Sequence, residues 1–192
     1  AAKRIPEKLM DSNYITSFFE IFTGTVAIIT GYPMDIQAAA MEIRKLAVTI
    51  VQDLKKAAPP ADILARQLAD KYQILTQKNS RRLPAIAVSI VGFDTHRPLL
   101  YYTDTSGILL PYKGVAFGEG ETGMMKKLAK IYRPDGSDNE ILETALEALE
   151  EALGSQYLAT NIEVAILYEN KPLEKLDTDQ IDTLLVKIAE KE

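Results

Sequence analysis

Two short runs of β-branched and aromatic residues open the pattern, at 17–21 and 25–30, parted by Thr23 and Gly24 and closed by Gly31, Tyr32 and Pro33. They predict a β-hairpin. The second run is apolar without alternation, which predicts a strand buried on both faces. The period then changes. Apolar residues at Ile36, Ala40, Ile43, Ala47, Ile50, Val51 and Leu54 keep helical spacing for about five turns, so a long helix follows. Pro59 and Pro60 end it and start a second helix, with inner stripe Ile63, Leu64, Leu68, Tyr72 and Leu75.

Residues 84–117 read as strands, with turns at 93–98, 103–107 and 111–114. Helical spacing returns at Met125, Leu128 and Ile131. After the loop Arg133-Pro134-Asp135-Gly136, the run Ser137-Asp138-Asn139-Glu140 is a capping box. Its serine can accept the N3 amide while Glu140 reaches back to the Ser137 amide. Leu142, Ala145, Leu146, Leu149 and Leu153 give that helix an apolar stripe, and Gly154 supplies its stop. A strand at 162–168 and a helix from about 179, with Ile181, Leu184, Leu185 and Ile188 facing inward, close the pattern.

The order is two strands, two helices, a block of strands, two helices, a strand and a helix, a mixed α/β (α+β) pattern. Two sheets covered on their outer faces by helix pairs would bury every apolar face it carries. Periodicity alone also allows an ordinary α+β domain. No internal repeat or low-complexity stretch interrupts it.

Composition narrows the class of partner. At 192 residues the chain fits one domain, 1–192, able to bury roughly 70% of its extended surface. Apolar residues at 47% and charged ones at 26% are those of a globular protein. The net charge of −5, with basic residues only in the pairs Lys55-Lys56, Arg81-Arg82 and Lys126-Lys127, argues against nucleic acid. No cysteine means no disulfide and no thiolate chemistry. No apolar run approaches the ~20 residues of a membrane span, and no signal-peptide pattern is present, so no membrane partner is expected. The sequence does not begin with Met and is expected to start inside a longer one.

The stretch 72–118 carries the most specific information. It holds Tyr72-Gln73-Ile74-Leu75-Thr76-Gln77, Arg81-Arg82-Leu83-Pro84, a strand-like run ending Gly92-Phe93-Asp94, then Asp104-Thr105-Ser106-Gly107 and Tyr112-Lys113-Gly114-Val115-Ala116-Phe117-Gly118. In that order and spacing it resembles the middle of a 20S proteasome α-type subunit. Similar matches cover nearly the whole chain: Ile5-Pro6-Glu7-Lys8-Leu9-Met10-Asp11, Thr30-Gly31 followed by Asp35, Thr160-Asn161-Ile162-Glu163-Val164, and Leu176-Asp177-Thr178-Asp179-Gln180-Ile181-Asp182. Within the family the resemblance is greatest to the eukaryotic type-six group.

The resemblance implies a four-layer αββα sandwich of the amino-terminal-nucleophile hydrolase fold, here lacking the amino-terminal helix and first strand. It implies a non-catalytic part in the outer ring of the proteasome, with other α and β subunits and activators or a regulatory particle as partners. Ubiquitin-dependent degradation in cytoplasm and nucleus, without a cofactor, comes with it. Active relatives in the family use an amino-terminal threonine whose own amine is the base, with a lysine and an aspartate nearby. By alignment the aspartate falls at Ala1, the lysine at Ser17 and a supporting serine at Phe117, and none of these residues can perform its role. The rival reading, a catalytically active threonine-type hydrolase, is disfavoured on that ground. A free-standing binding module is disfavoured by matches at turns distant from one another.

Ser17 also matches a lysine that in many α subunits lines the pocket for the carboxyl-terminal tails of activators. Serine offers a tail carboxylate at most a hydrogen bond, where lysine offers a point charge. The family has arginine near Arg81 and Arg82, which marks these two as candidate subunit contacts.

Other features have plainer readings. Gly118-Glu119-Gly120-Glu121-Thr122-Gly123 fits a dinucleotide fingerprint in letters. Two glutamates nevertheless stand where a pyrophosphate would dock, so a glycine-bearing turn is the better reading. His96, the one histidine, cannot build a multi-histidine metal site without cysteine to help, and reads as a solvated turn residue. Glu143, Glu147, Glu150 and Glu151 read as a wet helix face. Tyr101-Tyr102 and Phe18-Phe19 read as core and edge aromatics.

Overall fold

In the computed structural model, which describes residues 1–3, 9–10, 14–94, 96–154 and 157–190, the expected hairpin is present as β1 (Phe18–Phe22) and β2 (Thr25–Gly31). Of the segment 5–11, only Leu9 and Met10 lie within the described residues; Thr95 lies outside them. The chain divides into two compact units. One comprises Phe18–Lys113 with Leu167–Leu173; the other comprises Ala1–Ser17, Gly114–Ile166 and Glu174–Glu192.

The first unit is an antiparallel meander in the order β1-β2-β3-β4-β5, with β3 at Ile86–Asp94, β4 at Arg97–Asp104 and β5 at Leu109–Pro111. The register Ile29↔Val88↔Thr103↔Leu109 places these residues on one face. That face packs against α1 (Pro33–Leu54) and α2 (Ala61–Thr76). Ala40, Ile43, Ala47 and Ile50 of α1 and Leu64, Leu68 and Tyr72 of α2 share one core with Ala27, Ile29, Val88 and Ile90. Val26 and Ser89, on the other face, are also buried, so β2 is covered on both faces as its apolar run predicts. The helical stripe stops a turn early. Leu54, expected inward, is 44% exposed, and Lys55 ends α1 in the left-handed conformation.

In the second unit α3 (Glu121–Ile131) pairs with α4 (Asp138–Leu153). Residues 115–117, expected to finish the block of strands after the turn at 111–114, form an irregular loop. The most buried side chain of α3 is Met124; Met125, Leu128 and Ile131 are half-buried. On α4 the inward alanine is Ala148, whereas Ala145 is exposed. At the start of α4 the Glu140 carboxylate accepts the Ser137 N–H at 2.8 Å and its hydroxyl at 2.9 Å, the reach-back half of the expected box.

The strand expected at 162–168 is cut to β6 (Ala165–Ile166), paired with β7 (Glu174–Lys175), a strand the pattern did not predict. Ahead of β6, residues 161–163 bond instead to residues 1–3. Lys3 N–H donates to the Asn161 carbonyl at 2.7 Å, and Glu163 N–H donates to the Ala1 carbonyl at 2.9 Å. Beyond β6 the chain turns, with Asn170 at φ 58°. A 3₁₀ turn, Ala159–Asn161, and α5 (Thr178–Ala189) complete this unit, where Leu146, Ile162, Val164, Ile181 and Ile188 form a second core. Among the described residues no helix is long and apolar enough to cross a membrane.

Candidate functional site

Two carboxylates that lie in the motifs gather groups from distant parts of the sequence. The first is Asp35, in the first turn of α1. Its oxygens accept both terminal N–H groups of Arg82, at 2.7 and 2.8 Å, and the Ala85 N–H at 2.8 Å. Arg82 also donates to the Leu83 carbonyl at 3.0 Å. The forked guanidinium and the backbone amide together hold the Asp35 carboxyl at about 2, below its ordinary 3.8. Beside it Tyr32 N–H donates to the Ala85 carbonyl at 2.8 Å. Gly31 has φ 138°, and a Cβ there would meet that same carbonyl oxygen at 2.1 Å. The Thr30-Gly31…Asp35 motif is therefore a packing device: glycine admits the 82–85 segment, and the aspartate binds it.

The second is Glu163, buried just ahead of β6. Its Oε1 accepts the Thr16 hydroxyl at 2.6 Å and the Lys175 ammonium at 2.8 Å, and its Oε2 accepts the Ser17 N–H at 3.1 Å. Lys175 also donates to Thr16 Oγ1 at 2.9 Å. Burial alone would raise the Glu163 pKa, but the bonds from Lys175, Thr16 and Ser17 outweigh it and leave it lowered. A hydroxyl set between a carboxylate and an ammonium invites a nucleophilic reading for Thr16. The electrostatics oppose it, because a carboxylate so held is a weak base. The arrangement clasps residues 16–17, 163 and 175 to one another.

Two of the three positions expected to match catalytic residues of active relatives, Ala1 and Ser17, lie together here. Ser17 meets the Glu163 carboxylate through its backbone, and Ala1 pairs with the Glu163 backbone. Phe117 is half-buried in the loop before α3. Arg81 and Arg82 are both exposed at the surface, but Arg82 is engaged within its own chain.

The glycine-rich run is a helix-packing turn. Gly120 caps α3 with φ 76°, and a Cβ there would stand 2.9 Å from Ala152 Cβ; one on Gly123 would stand 3.0 Å from Glu151 Cγ. The small residues thus let α3 approach α4, and the strands that precede them form an antiparallel meander rather than a βαβ unit. The acidic run is not simply a wet face, since Glu150 pairs with Lys127 at 3.0 Å. His96 is largely exposed, with φ 69°, and its Nδ1 lies 2.6 Å from Glu169 Oε2. Among the described residues no group of three or more His, Cys, Asp or Glu is placed to hold a metal ion.

Lys175 escaped sequence reasoning, for it lies in a short polar run with no periodicity. Asp177 and Gln180 had a legible signal. They form a capping box on α5, with bonds of 2.8 and 3.0 Å, at the Asx-x-x-Gln spacing.

The sequence model of a family described as "Proteasome subunit" matches residues 1–167. This chain belongs to the proteasome subunit family. Among its relatives, the "Probable proteasome subunit alpha type-1" of Schizosaccharomyces pombe is 28% identical over 99% of this chain and 79% of that one. The "Proteasome subunit alpha" of Methanococcus maripaludis (strain C5) is 31% identical over 98% of this chain and 73% of its own. That of Methanocaldococcus jannaschii is 29% identical over 97% and 71%. The similarity is thus to α-type members of the proteasome family. Membership carries the mixed α/β fold of proteasome subunits, in keeping with the helices and antiparallel sheet described above.

Proposed function

We propose that this chain is a non-catalytic, structural α-type subunit of the 20S proteasome core particle, of the eukaryotic type-six group. It takes one place in an outer seven-membered ring. Non-identical neighbours close that ring head to tail, so each presents two different, complementary faces. The ring assembles on catalytic β rings, controls substrate entry and docks activators or a regulatory particle in ubiquitin-dependent degradation, in cytoplasm and nucleus. Its partners are proteins, with neither nucleic acid nor membrane among them.

The observation that carries this reading is similarity to proteins named α subunits over 97–99% of the chain. The type-six placement rests on the ordered motifs alone. The non-catalytic reading is supported by Ala1, Ser17 and Phe117, which lack the carboxylate, ammonium and hydroxyl that the reaction requires, and by the weakened basicity of Glu163 beside Thr16.

Native mass spectrometry of the tagged protein, purified gently from its own cells, tests the proposal. A particle of several hundred kilodaltons with equal numbers of α-type and β-type chains is expected. A free monomer or small homo-oligomer would overturn it.

A further inference from the structure

The second unit carries a groove that neither clasp uses. It is a cavity of about 300 Å³ between the end of α4, the 3₁₀ turn and α5. Tyr157, Leu158, Leu185 and Val186 form its apolar part, and Glu150 and Asp182 stand among its lining residues. Leu158 is 57% exposed and Val186 52% exposed, so two large aliphatic side chains flank one opening in water. Adjacent exposed aliphatic groups around a concavity are the mark of an interaction site, where single scattered ones are not.

Charge says what covers it. Helix α4 carries six carboxylates and no lysine or arginine. By sequence the second unit holds ten Lys and Arg against eighteen Asp and Glu, a net of −8, while the first holds twelve against nine, a net of +3. Glu150 already has Lys127 as partner at 3.0 Å, but Asp182 is exposed on the groove side of α5. An acidic border around an apolar floor selects an occupant that is apolar at its centre and basic at its edges.

We propose that this groove binds a protein segment presenting a leucine-, isoleucine- or methionine-like side chain flanked by lysine or arginine. The aliphatic side chain fills the space between Leu158 and Val186, and the cation meets Asp182 and the acidic α4 field. The inference goes beyond the proposed function, which assigns this groove no partner.

A phage-displayed library of random dodecapeptides, panned in parallel on the full-length wild-type chain and on Val186→Asp, tests it. Val186 is half-exposed, so its replacement leaves the core of the unit in place. Peptides pairing an aliphatic residue with a neighbouring Lys or Arg are expected to be enriched on the wild type alone. The leading peptide, followed by fluorescence anisotropy, is expected to bind Val186→Asp about tenfold more weakly. Asp182→Lys is expected to weaken it several-fold, with a loss that shrinks as salt is raised. Equal recovery on both chains, a consensus lacking either the aliphatic or the basic residue, no recovery, or indifference to Asp182→Lys would each overturn the proposal. Self-association of the wild type that Val186→Asp abolishes, without peptide enrichment, would assign the groove to a second copy of the chain and overturn it equally.

Discussion

Asp35 and Arg82, 47 residues apart in sequence, are joined by two parallel N–H···O bonds of 2.7 and 2.8 Å, and this pair fastens the start of α1 to the approach to β3. The carboxylate sits in the first turn of a helix, where the exposed amides favour negative charge. Its third bond, from Ala85 N–H, ties the pair to the backbone.

Asp35→Asn keeps the shape and removes the charge, so its effect isolates the ion pair. The Asp35 carboxyl titrates at about 2 in the folded chain against an ordinary 3.8. A depressed carboxyl contributes stability in full above its unfolded value and loses it as pH falls through the folded one. Urea midpoints of wild type and Asp35→Asn are therefore expected to differ by a constant amount from neutral pH down to about 4, then converge toward pH 2. A gap independent of pH in that acid range would remove the ion pair from the account.

The two neighbouring arginines are expected to separate by assay. Arg82→Ala removes both bonds to Asp35 and lowers the denaturant midpoint of the isolated chain. Arg81→Ala leaves that midpoint unchanged and, if Arg81 is the subunit contact, lowers the fraction of chain recovered in assembled particles. Identical behaviour in both assays would end the distinction.

Gly31→Ala places a methyl group 2.1 Å from the Ala85 carbonyl oxygen, at a φ of 138°. That oxygen cannot withdraw cheaply, because Tyr32 N–H holds it at 2.8 Å and Asp35 holds the Ala85 amide. The loss of stability is expected to exceed the ~1–2 kcal/mol that a left-handed backbone alone costs an alanine. Thermal unfolding measures it, and a near-wild-type melting temperature would show that the 82–85 segment yields.

Glu163→Ala removes the acceptor of the Ser17 amide and of the Thr16 hydroxyl and leaves Lys175 only its bond to Thr16 Oγ1. It is expected to cost roughly 2 kcal/mol, as for removal of a buried charged acceptor. Lys175→Met, which loses a half-exposed partner, is expected to cost at most about 1 kcal/mol. Hydrogen exchange at the Ser17 amide is expected to accelerate in the first variant far more than in the second. The reverse order would place the anchor of the clasp on Lys175.

These sites show what was legible in the chain and what was not. The period change after Gly31 and the breaks at Pro59 and Pro60 marked α1 and α2 because burial along a regular element repeats in sequence. The strand expected at 162–168 was cut short for a reason outside any window: ahead of β6 the Glu163 amide and the Asn161 carbonyl are paired with residues 1–3. Gly31 and Asp35 were visible as a motif, but their partners, Arg82 and Ala85, follow from the return of β3 beside β2. Lys175 carries no local pattern at all. It matters only because the pairing of β6 with β7 delivers it to Glu163.

Ser17 is where the proposed function meets the observed geometry. In the proposed reading it borders the pocket for the carboxyl-terminal tails of activators. Its backbone N–H is bound to Glu163, and the Lys175 ammonium beside it is matched by the same carboxylate at 2.8 Å. A tail carboxylate arriving at Ser17 meets a hydroxyl and, in Lys175, a cation already matched by Glu163, so weak binding is expected. Ser17→Lys supplies the missing charge without touching the backbone bond. It is expected to tighten binding of an activator-tail peptide to the assembled particle by roughly tenfold at low salt, the gain fading as salt screens it. Anisotropy titrations across ionic strength measure this. An affinity unchanged by the lysine, or a gain indifferent to salt, would move the tail pocket away from Ser17.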